Sequence, residues 1–265
     1  MSNNGVRNDI KDFFIEVSQG NIAGHSFVHK FGGNNNIPDN TWELISVLGG
    51  TTSFRSSPST VRIKSGGDIE DNIAGSGARS IVVIGVDDTL LEATEIIVTS
   101  GTSASLETTT SFWRLYRAYV NEVGDYGGTN LGGITIEDSG GVADMIKISN
   151  GLGQTQYAAY TIPSNKTGYL LGVHLTVDSN VKADFRLMAR ENMNNVVSEI
   201  ASNRLKFYWG SVSGVVNYLP KSPELILNGN TDIWLEARGN GGTTQVSANF
   251  EILLVDNPIP DIKTI

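Results

Sequence analysis

The chain has 265 residues, of which 39% are apolar, with no cysteine and a formal net charge of −9. Disulfides, thiolate metal sites and thiol nucleophiles are therefore excluded. The acidic balance argues against nucleic acid as a partner, which needs Lys and Arg to neutralise phosphate, and against an anionic membrane surface.

Glycine outnumbers proline 30 to 7, and Ser, Thr and Asn are frequent, a mixture suited to short strands joined by tight turns. At roughly 100–200 residues per domain, the length favours two domains. Met1-Ser2-Asn3-Asn4-Gly5 has no basic segment followed by an apolar core, so no secretory leader is expected. No apolar stretch approaches the ~20 residues that span a bilayer.

The first element breaks the pattern of the rest. Ile10, Phe13, Phe14 and Val17 fall at helical spacing and Gly20 follows as a stop, predicting one short amphipathic helix. Such a helix is marginal alone and needs a surface for its apolar face. Ser26–Phe31 reads as an extended stretch between glycines, and Gly32-Gly33-Asn34-Asn35-Asn36 as a flexible joint.

Strands are expected from about residue 37 onward. Residues 41–48 are apolar and end at Gly49-Gly50, and 60–64 alternate strictly. Residues 79–87 form a near-continuous apolar run, as a core strand should, and 91–98 alternate again. Residues 112–120 are aromatic-rich, and 134–137 and 145–148 complete the first series. Asn150-Gly151-Leu152-Gly153-Gln154 is the expected domain boundary. Further strands are expected at 157–163, 166–177, 185–190, 205–209, 224–227, 231–238 and 246–255, before Pro258 and Pro260 end regular structure. The predicted architecture is all-β: an N-terminal arm (1–37), two jelly-roll-like β-sandwich domains (38–150 and 151–257) and a C-terminal tail (258–265).

Motifs for chemistry are sparse. His25 and His29 are spaced H-x-x-x-H, but no Glu follows His25 and the segment looks extended, which would set the pair about 13 Å apart. His174 reads as an ordinary hydrogen-bonded histidine. No G-x-S-x-G elbow occurs. Gly127–Gly133 lacks the Gly-Lys-Ser/Thr ending of a phosphate loop and reads as a hairpin loop. The acidic clusters Asp68/Glu70/Asp71 and Asp87/Asp88/Glu92 lack calcium-loop spacing and read as solvated carboxylates. Trp113, Trp209 and Trp234 lie inside apolar strands, where packing is expected before sugar stacking. No catalytic residue, cofactor or metal is assigned, and the chain is expected not to be an enzyme.

Several stretches, in order along most of the chain, carry a family resemblance. They are Phe14–Gly32, Gly75-Ser76-Gly77-Ala78-Arg79, Trp113-Arg114-Leu115-Tyr116-Arg117-Ala118, Gly151–Thr155, Ala159-Tyr160-Thr161-Ile162-Pro163 and Leu253-Leu254-Val255-Asp256-Asn257. Together they resemble virion structural proteins of tailed phages of aquatic bacteria, assigned to capsid decoration, head fibres or tail appendages. The resemblance implies a component of a phage particle, assembled in the host cytoplasm and located in the virion. The expected role is a decoration (cement) or head-attached protein. Its expected partners are other copies of itself, as a homotrimer, and the major capsid protein or another virion protein. A tail- or fibre-associated receptor- or carbohydrate-binding protein is the alternative, and it would need exposed aromatics at a domain tip. The expected anchor is Ile10, Phe13, Phe14 and Val17 with Phe27 and Phe31, hinged at the Gly/Asn joint.

Overall fold

The computed structural model describes residues 12–50, 55–178, 180–195, 202–219 and 225–257. Ile10 of the expected anchor and the tail 258–265 lie outside them. The helix forms as α1 (Phe13–Ser18). The Asp12 carboxylate caps it, accepting from the backbone N–H of Phe14 at 2.9 Å and of Ile15 at 3.3 Å, which satisfies two otherwise orphaned donors. Gly20, with φ +75°, takes the left-handed conformation that ends the turn.

Among the described residues, all other regular elements are strands. In chain order they are β1 (His25–Ile37), β2 (Glu43–Leu44), β3 (Val61–Ile63), β4 (Ala78–Asp87), β5 (Glu92–Val98), β6 (Phe112–Val123), β7 (Ile134–Asp138) and β8 (Asp144–Ile148). There follow β9 (Ala159–Ile162), β10 (Lys166–Val177), β11 (Lys182–Arg190), β12 (Arg204–Val212), β13 (Val215–Tyr218), β14 (Ile226–Leu227), β15 (Thr231–Asn240) and β16 (Thr244–Asp256). Among the described residues they make four antiparallel sheets.

Two five-stranded sheets form the larger body. The first has the order β1-β16-β10-β13, with β14 also on β10; the second has the order β12-β11-β15-β2, with β9 also on β15. Alternate residues turn inward, and Leu175 and Phe250 of the first sheet share a core with Phe185 and Leu235 of the second. The smaller body has two three-stranded sheets, β3-β7-β8 and β5-β4-β6. Val61, Ile136 and Ile146 from one meet Ile81, Val83 and Phe112 from the other.

The pairing joins residues on both sides of the expected break at 37/38. β1 runs along β16 from His25↔Val255 to Ile37↔Thr244, and β2 pairs with β15. The larger body is therefore built from both ends of the described chain, and β3–β8 are inserted between them.

The Gly/Asn joint is overturned: Gly32, Gly33 and Asn34 are ladder residues opposite Ala248, Ser247 and Val246. A glycine run looks flexible when its partner strand lies more than 200 positions away. Here Gly32 serves close approach instead, because a Cβ there would lie 2.1 Å from the Ile45 carbonyl oxygen and 2.6 Å from the Ala158 nitrogen. Gly32→Ala should therefore destabilise the protein by about 1–3 kcal/mol in urea unfolding, the usual cost of overpacking. The Gly127–Gly133 stretch is also corrected. It joins β6 to β7, which belong to different sheets, so it is a crossing loop and not a hairpin.

The two bodies are tied by polar groups, most of them out of solvent. Arg114 on β6 bonds the Asp232 carboxylate on β15 at 3.1 Å, with side chains only 9% and 5% exposed. Thr161 Oγ1 donates to the same carboxylate at 2.7 Å. The rings of Tyr116 and Tyr160 lie 4.6 Å apart, and both hydroxyls donate to Glu92. Lys30, inward-facing on β1, donates to the Tyr116 carbonyl, with its Nζ 5.6 Å from the Tyr116 ring centroid and 6.0 Å from that of Tyr157.

Candidate interaction surface

The face of the first five-stranded sheet that points away from the core carries a group of exposed and half-buried side chains. Its rows follow from register. Phe27 on β1 stands beside Leu253, then Tyr169, then Ile226. One row along, His29 stands beside Glu251, and the next row holds Phe31, Asn249, His174 and Asn217. The row beyond is small, with Gly33, Ser247, Thr176 and Val215. The face thus grades from apolar to polar across its length.

α1 covers the apolar end. Val17 is buried at 4% exposure, and Phe14 stacks on Phe27 with centroids 5.7 Å apart. Phe13 packs edge-on against Phe14 at 5.7 Å and His25 at 5.9 Å. The helix does not saturate this end. Phe13, Phe14 and Ile15 remain 42%, 52% and 56% exposed, with Leu219 at 78% and Ile226 at 57% on the far strands. Between them lies a groove of about 450 Å³ lined by Phe14, Phe27, Leu171 and Leu219.

The structure brings together Phe13, Phe14, Val17 and Phe27 of the expected anchor, though not as an arm. Phe13, Phe14 and Val17 sit on α1, against the sheet that contains Phe27 and Phe31 on β1. Phe31 is set apart from the groove and its ring lies 5.9 Å from that of His29. Sequence reasoning missed Leu171, Leu219 and Ile226. Leu171 continues the outward alternation from Tyr169 and is the extra residue where β10 shifts register between Leu170 and Gly172. β13, which leads to Leu219, was not an expected strand.

The other singled-out groups have structural partners. His25 and His29 share the extended β1, as expected, and His174 Nδ1 bonds Asn217 Oδ1. Asp71 is buried, where a solvated carboxylate was expected. Its two oxygens accept from the N–H groups of Ala78, Leu131 and Gly132, so it pins the crossing loop. Asp87 Oδ1 organises its own turn by accepting from the N–H of Thr89 and Leu91. Trp234 is buried at 1% exposure and donates to Glu236 at 2.8 Å. A cavity of about 260 Å³ between the bodies is lined by Ser46, Arg55, Trp113, Arg114 and Tyr157. Among the described residues, no group of three or more His, Cys, Asp or Glu is placed to hold a metal ion. Among the described residues, no helix is long and apolar enough to cross a membrane.

No family model matches the chain, and no curated protein matches it. Among solved structures, it is similar to the infectious bursal disease virus Gt strain structure at 10% identity and a TM-score of 0.25, over 88% of this chain and 73% of that one. It is also similar to the infectious bursal disease virus VP2 subviral particle at 10% identity and a TM-score of 0.23, over 94% and 80%.

Proposed function

We propose that this chain is a non-enzymatic structural subunit of a virus particle, acting as a decoration or head-attached protein that holds neighbouring subunits by surface contact. The observation that carries the reading is the apolar end of the outward sheet face, where Phe13, Phe14, Ile15, Leu219 and Ile226 stand exposed on a β framework. Contiguous exposed apolar patches mark interaction sites on soluble proteins. The sequence resemblance to phage virion proteins points the same way. The packing of two sheets around each core supports a reading as two sandwich-like units, the larger one jelly-roll-like and discontinuous in sequence.

On this reading the patch meets another copy of the chain, as a homotrimer, or the shell protein. Covering the exposed parts of Phe13 and Phe14 would contribute roughly 1–1.5 kcal/mol each, and repetition over many copies multiplies the effect. The test is Phe13→Ser with Phe14→Ser. Both rings are already about half in solvent, so thermal unfolding should change little. Self-association in light scattering and the number of copies retained on purified particles should both fall sharply. A folded double variant that associates and loads normally would remove the reading.

A further inference from the structure

We infer that the polar end of the same sheet face is a binding trough for an uncharged carbohydrate. It is separate from the apolar groove and goes beyond the particle reading. The trough measures about 660 Å³, within the roughly 300–1,000 Å³ typical of small-ligand sites. It exists because Gly33, Ser247 and Thr176 form one row of small residues across three strands, between taller side chains. Phe31 and His29 make one wall, with their rings 5.9 Å apart. Gln156, Asn35, Gln245 and Asn249 stand around the rest.

The chemistry of the lining selects the ligand class. Among the described residues, the side-chain amides of those four residues have no protein hydrogen-bond partner, and each amide offers two donors and an acceptor to something outside the chain. Paired donors and acceptors match the neighbouring hydroxyls of a sugar ring, while the Phe31 face suits its C–H face. No Lys or Arg lines the trough, and Asp178 adds a carboxylate. Phosphate, sulfate and acidic sugars are therefore disfavoured by charge.

The experiment titrates neutral disaccharides of glucose, galactose and N-acetylglucosamine into the isotope-labelled full chain and follows backbone amide shifts. Sialic acid and an uncharged peptide serve as comparators. Shifts should concentrate at residues 31–35, 156 and 245–249, with a Kd on the order of 1 mM for an open site of this kind. Phe31→Ala should weaken binding about tenfold or more. Gln245→Ala with Asn249→Ala should do the same, and it alters outward-facing positions whose loss leaves the core intact. Response to no neutral saccharide, stronger response to sialic acid or the peptide, or unchanged binding in the folded amide double variant would each overturn the assignment.

Discussion

Asp232→Ala should lower the free energy of unfolding by about 3–5 kcal/mol, read as a shift of the urea midpoint. The size follows from what the carboxylate holds. It accepts from Arg114 Nε and Nη2 and from Thr161 Oγ1. It also sits opposite Arg190, which is 5% exposed, in the β11–β15 register. Removing it leaves two guanidinium groups out of solvent without their shared counter-charge. The loss lies at the joint between the bodies, so both should unfold together more easily. Replacing Arg114 by Met and Asp232 by Leu at once should recover part of the loss, since apolar groups of similar volume need no counter-charge. A single-variant cost of only about 1 kcal/mol, as for an exposed pair, would contradict this account.

Lys30→Met should stabilise the protein near neutral pH and flatten its stability profile between about pH 7 and 10.5. Burial, reinforced by the Arg117 cation, lowers the Lys30 ammonium from 10.5 to about 7. In that window the unfolded chain binds a proton that the folded chain does not, so stability rises with pH at about 1.4 kcal/mol per pH unit. Below pH 7 both states carry the proton and the penalty is complete. Met removes the penalty and keeps most of the apolar volume. It also gives up the bond to the Tyr116 carbonyl, which makes the net gain at pH 6 a few kcal/mol at most. The buried tyrosines act in the opposite sense. Burial pushes Tyr157 up to about 12 despite the opposing Arg114, and raises Tyr116 and Tyr160 as well. The unfolded chain therefore sheds tyrosine protons first above pH 10, and stability falls there in both proteins. The difference between the two profiles isolates Lys30. Parallel profiles from pH 7 to 10 would show that Lys30 keeps its charge in the fold.

The amino-acid order alone was enough for the β class and for most strand positions. β4, β10, β15 and β16 lie where apolar runs or alternation placed them, because the two-residue period of a strand is written locally. The helix stop at Gly20 was legible for the same reason, since stops and caps are local chemistry. So was Trp234 as a packed residue.

Partnership was not legible, because hydrogen-bond ladders join positions that no local pattern connects. Ser26–Phe31 read as extended, but without a partner, and Gly32–Asn36 as a hinge, yet both belong to β1, stapled to β16 at the other end of the described chain. That one pairing turns an expected arm into part of the main sheet and makes β3–β8 an insertion. It also creates the outward face. Phe27 and Phe14 were visible as apolar residues, but only the register sets Phe27 beside Leu253 and Tyr169. The same holds for Lys30. No local pattern marks it as buried, and only the close approach of Tyr116 and Tyr157 takes it out of water. Sequence determined which segments extend and which chemistry is excluded. Tertiary structure decided which segments meet, and with that which side chains are buried and which remain free to bind.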